Sequence, residues 1–208
     1  MTNKNFNNKK INNNGFNFVD LGLPSGTLWA TMNVGASKPS DSGLYFQWGD
    51  VQGYKAEQIG KGKGKKTFKW DDYKWNASEG FIKYNTAGES LELADDAANA
   101  NMGGTWHMPT PTQIQELINE TTSTWTQQDN VYGTLFTSKK NGKSIFIPAA
   151  GYAYDGSLHY EGNEADVWSS MLSTFVVNGG QCLCFDSSSF YLYDYGRCFG
   201  CSVRGVLG

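Results

Sequence analysis

Residues 19–30 read VDLGLPSGTLWA, two short apolar segments on either side of Pro24-Ser25-Gly26. Pro presets the φ angle of a turn and Gly accepts positive φ, so this tripeptide predicts a tight turn. The residues just before it, 16–19, alternate as a half-buried strand does. Residues 28–34 (LWATMNV) and 44–48 (LYFQW) are two further short strand candidates. The chain is therefore predicted to open with strands.

Two segments in the middle of the chain predict helices. Residues 91–101 (LELADDAANAN) are rich in helix-forming types and are followed by Gly103-Gly104, which is typical of a helix C-terminus. For the second helix, over residues 113–119, Thr112 is the predicted N-cap. The apolar side chains on its predicted buried side are Ile114, Leu117 and Ile118.

The rest of the globular part has the texture of short strands and loops. Residues 142–150 (GKSIFIPAA) predict a strand that Pro148 ends. Strands, then two helices, then many short strands predict an α+β fold class. With 208 residues, the chain has room for one domain with a sizeable core, which we place at residues 16–208. Residues 1–15 are mostly Asn and Lys, and are predicted to be a disordered polar arm.

Charge and hydropathy narrow the classes of partner. The formal net charge of −3 and the sequence pI of about 5.4 argue against nucleic acid as a ligand. No apolar run approaches the length of a membrane helix, so no membrane insertion is expected. Residues 1–15 have no apolar stretch that a secretory signal would need.

Short motifs recur in order along the whole globular part. Besides residues 19–30, they are YFQWG (45–49), YKW (73–75), KYN (83–85), DDAA (95–98), GGTWHMPT (103–110), IFIPAAGY (145–152), WSS (168–170), and Arg197, Gly200 and SVR (202–204) near the end. The ordered set resembles the major paralogous domain family of gut bacteria and their phages. His107 and Gly205 depart from that family's pattern, which has Arg and Pro there.

The resemblance implies a C-type-lectin-like fold with two helices and several short, mostly antiparallel strands joined by many loops. The same architecture hosts sugar-binding lectins, a copper-dependent formylglycine-generating enzyme and the variable proteins of diversity-generating retroelements. A fold does not by itself decide among such functions, so the choice has to come from the residues.

The composition of the C-terminal segment favours the variable proteins. All four cysteines and both arginines lie between residues 182 and 204, and from Cys182 onward there is no Lys, Glu, Gln, Met or Trp. An AAC or AAT codon whose adenines are replaced at random never encodes those five types, but it does encode the Cys, Phe, Ser, Tyr, Asp, Gly, Arg and Leu found here. Retroelement mutagenesis acts on such adenines, so residues 168–208 are the predicted variable region.

The same segment has the residue types of an adaptable binding surface. Residues 187–196 (SSSFYLYDYG) resemble the Tyr, Ser and Gly usage of antibody loops. Alternation over 182–185 predicts a strand with Leu183 and Phe185 inward and the two cysteines outward. Arg197, Gly200, Val203 and Arg204 are predicted to be scaffold. The predicted ligand-binding residues are Ser173, Asn178, Gly180, Cys182, Cys184, Ser187, Ser189, Tyr191, Tyr193, Asp194, Tyr195, Cys198, Phe199 and Cys201.

The four cysteines allow three interpretations. Their spacing, Cys-x-Cys and then Cys-x-x-Cys, fits a tetrahedral zinc site, and they could also form disulfides outside a cell. We favour a third interpretation, that they are products of adenine replacement at exposed positions. No metal and no cofactor is therefore predicted.

Catalysis has little support in the sequence. His107 and His159 stand outside any recognisable nucleophile or acid–base pattern. Asp95 and Asp96 are adjacent, so on a helix they would point to different sides. The chain is predicted not to be an enzyme.

The sequence therefore predicts a diversified protein that binds a protein or glycan receptor on a cell surface, located on a phage tail or a bacterial surface. One alternative is a carbohydrate-binding lectin-like module without diversification. Another is a metal-dependent enzyme of the formylglycine-generating type.

Overall fold

A computed structural model of the protein describes residues 12–208. These residues form helices α1 (Ala97–Met102) and α2 (Pro111–Glu120) and a series of strands. The strands are β1 (Asn12–Asn13), β2 (Phe16–Asp20), β3 (Leu28–Ala30), β4 (Asn76–Ala77), β5 (Gly80–Phe81), β6 (Thr121–Gln128), β7 (Val131–Ser138), β8 (Ser144–Pro148), β9 (Tyr152–Tyr154), β10 (Ser157–His159), β11 (Ala165–Leu172), β12 (Gly179–Phe185), β13 (Phe190–Gly196) and β14 (Val206–Leu207). All paired strands run antiparallel in several small sheets, so the predicted α+β class is confirmed.

The first and last strands of the described chain share one sheet, in the order β1-β2-β3-β14. The turn predicted between β2 and β3 is present, since the Gly26 amide donates to the Leu23 carbonyl at 3.0 Å and Gly26 has φ +79°. Asn12 and Asn13, which fall within the predicted arm, form β1 and pair with β2. Residues 1–11 of the arm lie outside the described part of the chain.

One other predicted strand is shorter in the structure, and a second is replaced by isolated bridges. The strand predicted over 28–34 ends at Ala30, after which the Val34 amide bonds to the Val203 carbonyl at 2.8 Å instead of continuing a ladder. Residues 44–48 form only isolated bridges, from Tyr45 to Tyr54 and from Phe46 to Cys201. Apolar alternation marks burial in both places, but burial here is reached with irregular backbone.

Both predicted helices exist, with different N-termini. Asp96 caps α1, so the segment 91–95 contributes only a single turn of 3₁₀ helix before it. Thr110 rather than Thr112 caps α2: its Oγ1 accepts from the Gln113 amide at 3.2 Å, and the Gln113 Oε1 accepts from the Thr110 amide at 2.9 Å. Pro111 then takes the first helical position, where its missing N–H is not needed.

A long hairpin that the sequence analysis missed follows α2. Strands β6 and β7 pair over their whole length and β8 joins them as a third strand. Asp129 and Asn130 form the connection with φ of 51° and 66°, the left-handed pair that two-residue hairpin turns favour. Its many Thr and Gln residues concealed this hairpin from a search for apolar periodicity.

The sheet β11-β12-β13 lies between two parts of the core. Along β12, Leu183 and Phe185 pack into one apolar cluster, whereas Cys182 and Cys184 pack into a second together with Trp168. Both faces of the central strand are therefore buried. No helix in residues 12–208 is long and apolar enough to cross a membrane.

The packing around residue 205 explains why a glycine stands there. A Cβ at this position would lie 2.6 Å from the Met102 Sδ and 3.1 Å from the Trp106 ring. The Gly205 carbonyl also accepts from the Ala30 amide at 2.9 Å, which leads the chain into β14. With Gly at this position, β14 pairs with β3.

Candidate binding surface

Strand β13 lies at the edge of its sheet, within the predicted variable region. Its side chains alternate, with Leu192 and Phe190 packed against the core cluster that contains Leu183. Tyr191 and Tyr193 point the other way and are 40% and 53% exposed. Their rings make an edge contact at 6.1 Å, and Tyr193 contacts Tyr195 at 5.2 Å. The strand therefore carries a row of three tyrosines, two of which face solvent.

This row continues into neighbouring strands through ring contacts. Tyr195 lies 5.0 Å from the Tyr152 ring and 5.4 Å from the Phe199 ring. Phe199 also contacts Tyr154 at 4.4 Å, and Tyr152 stacks on His159 at 5.1 Å. We call the whole surface the aromatic face, and its residues are Tyr152, Tyr154, His159, Tyr160, Tyr191, Tyr193, Tyr195 and Phe199.

Glu164 gives the aromatic face a polar group. Its Oε1 accepts from the Tyr191 hydroxyl at 3.5 Å. Burial raises the pKa of Glu164, and the nearby Asp186 carboxylate raises it further. Burial likewise raises the pKa of Tyr191 to about 12, so its hydroxyl stays protonated at neutral pH and can donate a hydrogen bond. The surface thus combines flat apolar rings with hydroxyl donors and a carboxylate acceptor.

Two loops border the aromatic face, and side-chain hydrogen bonds hold each in place. In residues 173–178, the Ser173 hydroxyl donates to the Asp194 Oδ2 at 2.6 Å and accepts from the amides of Phe175 and Val176. This leaves Phe175 86% exposed at the loop tip. In the loop before β13, the Asp186 Oδ1 accepts from the Ser188 and Ser189 amides at 2.6 and 2.9 Å.

Burial divides the residues predicted to bind ligand into three groups. The exposed group is Asn178, Ser187, Tyr191 and Tyr193. The half-buried group is Ser189, Asp194, Tyr195 and Phe199. The buried group is Ser173, Gly180, Cys182, Cys184, Cys198 and Cys201.

The prediction that the buried group displays its side chains was wrong. Cys182 and Cys184 do lie on the face of β12 opposite Leu183, but Trp168 and other large side chains cover that face too. A Cβ on Gly180 would lie 2.7 Å from the Trp48 ring. Period-two alternation separates the two faces of a strand, but it does not show whether the second face is covered.

The cysteines do not form one four-thiol site. All four are free and buried, but Cys182, Cys184 and Cys201 share a core cluster that does not include Cys198. Cys198 lies where its own carbonyl accepts from the Gln47 Nε2 at 2.9 Å. The zinc site that the spacing of all four allows is therefore not assembled.

The residues predicted to be scaffold are buried. The Arg197 guanidinium donates to the Tyr73 hydroxyl at 2.8 Å and to the Tyr84 carbonyl at 2.9 Å, and lies over the Phe81 ring at 4.1 Å. The Arg204 guanidinium donates to the Asn33 side chain and to two carbonyls, all at 2.9–3.0 Å. Each arginine therefore joins segments of the chain that are far apart in sequence.

The titratable residues weighed for catalysis are occupied with structural contacts. Asp96 accepts from the amides of Asn99 and Met108, whereas Asp95 accepts from Lys74, Lys83 and the Tyr84 hydroxyl, so the two carboxylates face different partners. The ring nitrogens of His107 contact the carbonyls of Met108 and Gly208. His159 belongs to β10, and its ring stacks on Tyr152 in the aromatic face.

Sequence reasoning missed half of the aromatic face. Tyr152, Tyr154, His159 and Tyr160 come from the hairpin β9-β10, whose strands pair from Tyr152 to His159. The many aromatic residues of the segment 152–160 were a signal, but nothing in the sequence placed this hairpin beside β13.

A separate cleft of about 790 Å³, lined by Asp41, Lys55 and Glu161 among others, contains none of the predicted ligand-binding residues.

In comparisons with known proteins, the chain matches no family model, no curated protein and no solved structure.

Proposed function

We propose that this chain is a diversified ligand- or receptor-binding protein with a fixed C-type-lectin-like scaffold. Its replaceable side chains lie in the predicted variable region, on the part of the aromatic face formed by Tyr191, Tyr193, Tyr195 and Phe199 and on the bordering loops. The observation that carries the proposal is the tyrosine row of β13. Tyr191 and Tyr193 are exposed on an edge strand, while the alternate residues Phe190 and Leu192 pack into the core. Exposed side chains on a strand anchored in this way can change without removing core contacts.

The lectin-like scaffold is part of the proposal. It rests on the ordered sequence motifs, and the order of elements agrees with it: short strands, two helices, then a run of short antiparallel strands. The buried contacts of Arg197 and Arg204 also suit a scaffold that has to stay fixed beside a changing surface.

Diversification by a retroelement rests on the codon alphabet of the segment. Every exposed or half-buried residue in the predicted binding set is Asn, Ser, Tyr, Asp or Phe. All five are encoded by an AAC or AAT codon before or after adenine replacement. Tyrosine is also the residue that binds most effectively from such an alphabet, because its ring supplies a large contact area at little entropic cost.

A second candidate is a carbohydrate-binding module without diversification, and the aromatic face itself favours it. Exposed rings such as Tyr160 and Tyr193, 58% and 53% exposed, can stack on sugar rings, and Glu164 can accept from sugar hydroxyls. On either account the chain is not an enzyme and its partner is a protein or glycan receptor. A phage tail or a bacterial surface is the proposed location.

The DNA around the gene distinguishes the two candidates. Diversification predicts a nearby repeat of the 3′ coding segment that differs from it only opposite adenines, together with a reverse transcriptase gene. A complete genome with neither would leave the undiversified module. Binding of the purified protein to an array of glycans, lost in Tyr193→Ala, would then support that second candidate.

A further inference from the structure

The strongest feature outside the aromatic face is a buried carboxylate without a hydrogen-bond partner. Asp166 is fully buried in β11, and within the described residues neither of its side-chain oxygens has a hydrogen-bond partner. An isolated carboxylate in an apolar core is strongly unfavourable, so such a group is normally neutral, paired or bound to a cation.

Two thiols lie against this carboxylate because of strand register. Asp166 is directly opposite Cys184 in the β11-β12 pair, and Cys182 precedes Cys184 by two residues on the same face of β12. The Cys182 and Cys184 sulfur atoms are 3.0 Å apart. A carboxylate oxygen of Asp166 and both sulfur atoms all lie within 4.8 Å of one another. One face of two neighbouring strands therefore brings three potential metal ligands together.

We propose that Asp166, Cys182 and Cys184 bind a Zn²⁺ ion. Zn²⁺ would compensate two of the three negative charges of two thiolates and one carboxylate, and it would give the Asp166 carboxylate a partner. Zn–S bonds of about 2.3 Å at a tetrahedral angle would hold the sulfur atoms about 3.8 Å apart. The thiols therefore have to separate by less than about 1 Å, which small side-chain rotations can supply.

The ligand set favours zinc over other ions. Thiolates select soft or borderline ions against Mg²⁺ and Ca²⁺, and the carboxylate is a ligand that Zn²⁺ accepts more readily than the softer Cu⁺ does. Cys201 packs in the same core cluster but is not among the residues whose ligand atoms lie within 4.8 Å of one another. A water molecule or another ligand would have to take the fourth position of a tetrahedral site.

A zinc ion here would tie β11 to β12 on the same face of the sheet as the tyrosine row of β13. Cys182 is paired with Tyr193 and Cys184 with Tyr191 in the β12-β13 register. The ion would thus stabilise the two strands on which β13 packs, whether or not the exposed residues of β13 are diversified. The proposal does not depend on the proposed function.

The test is metal binding by the full-length protein in reducing buffer, with Zn²⁺ and Co²⁺ as probes. We expect one zinc per chain by elemental analysis, and a thiolate-to-cobalt charge-transfer band with Co²⁺. Asp166→Asn, Cys182→Ser and Cys184→Ser should each weaken binding at least about tenfold. Cys198→Ser is the matched control, since it removes an equally buried thiol outside the cluster and should keep full binding.

Thiol protection in the unmutated protein covers the case in which a ligand variant does not fold. Bound zinc should slow alkylation of Cys182 and Cys184 during partial unfolding but leave Cys198 unaffected, as mapped by mass spectrometry. The proposal is overturned if the reduced protein binds neither ion stoichiometrically, or if Cys198→Ser loses binding as fully as Cys184→Ser. A Cys182–Cys184 disulfide in protein purified with zinc under reducing conditions would overturn it as well.

Discussion

Tyr195 and Tyr193 differ by two positions on β13, and we predict clearly different effects of replacing each by Ala. Tyr195 is half-buried, packs against the core cluster that contains Trp168, and contacts the Tyr152 and Phe199 rings. Removing a fully buried aromatic ring costs about 3–5 kcal/mol, so removing this half-buried one should cost about 2 kcal/mol. Tyr193 is 53% exposed, and exposed substitutions usually change stability by no more than about 0.5 kcal/mol.

The free energy of unfolding can be measured by urea denaturation, followed through tryptophan fluorescence. For a domain of this size, about 2 kcal/mol corresponds to a melting temperature lowered by about 4–8 °C. Tyr195→Ala should show that decrease, whereas Tyr193→Ala should stay within about 2 °C of the unmutated protein. Tyr195→Phe is the control, because it keeps the ring contacts and should retain most of the stability. Equal losses of stability in Tyr193→Ala and Tyr195→Ala would refute the prediction that Tyr195 contributes to the core and Tyr193 does not.

The other predictions concern the scaffold. Asp95→Asn should lower the free energy of unfolding at pH 7 by about 1–2 kcal/mol, because Asp95 accepts from Lys83 and the Tyr84 hydroxyl at 2.6 and 2.7 Å. Burial alone would raise the pKa of Asp95, but hydrogen bonds from Lys83, Tyr84 and Lys74 outweigh it and lower the pKa. The charged form of Asp95 therefore stabilises the fold fully above the unfolded-state pKa of about 4. The difference in the free energy of unfolding between the variant and the unmutated protein should shrink as the pH falls through the folded-state pKa. Urea denaturation at several pH values between pH 3 and pH 7 measures this difference, and a constant difference would contradict the stabilising role of the Asp95 carboxylate. Gly200→Ala should lower the free energy of unfolding by about 1–3 kcal/mol, because the added Cβ would lie 2.4 Å from the Phe68 ring. The melting temperature measures this loss, and an unchanged value would show that the ring can move aside.

Local chemistry made several elements predictable. The Pro24-Ser25-Gly26 turn, the end of α1 before Gly103 and the buried Ile114 and Leu117 of α2 all depend on neighbours in sequence. The capping box at Thr110 was also present in the sequence, as Thr followed three residues later by Gln113, but the wrong threonine of the pair was chosen.

Features that depend on distant contacts could not be read in the same way. Alternation identified β12, but the burial of Cys182 and Cys184 depends on side chains from segments far away along the chain. The hairpin β9-β10 contacts β13 only in the folded molecule, so its half of the aromatic face could not be predicted from the sequence. The proximity of Asp166 to Cys184 likewise follows from strand register, which sequence alone does not give.

The most direct test of the central claim is to sequence this gene in many cells of one population and map where the codons differ. Diversification predicts differences at positions opposite adenines of the template repeat, concentrated in the codons for Asn178, Ser187, Tyr191, Tyr193 and Asp194. The codons for the buried Arg197 and Arg204 should be constant, as should those for Cys182 and Cys184. Differences spread evenly over residues 16–208, or falling equally opposite all four nucleotides of the template repeat, would contradict the account.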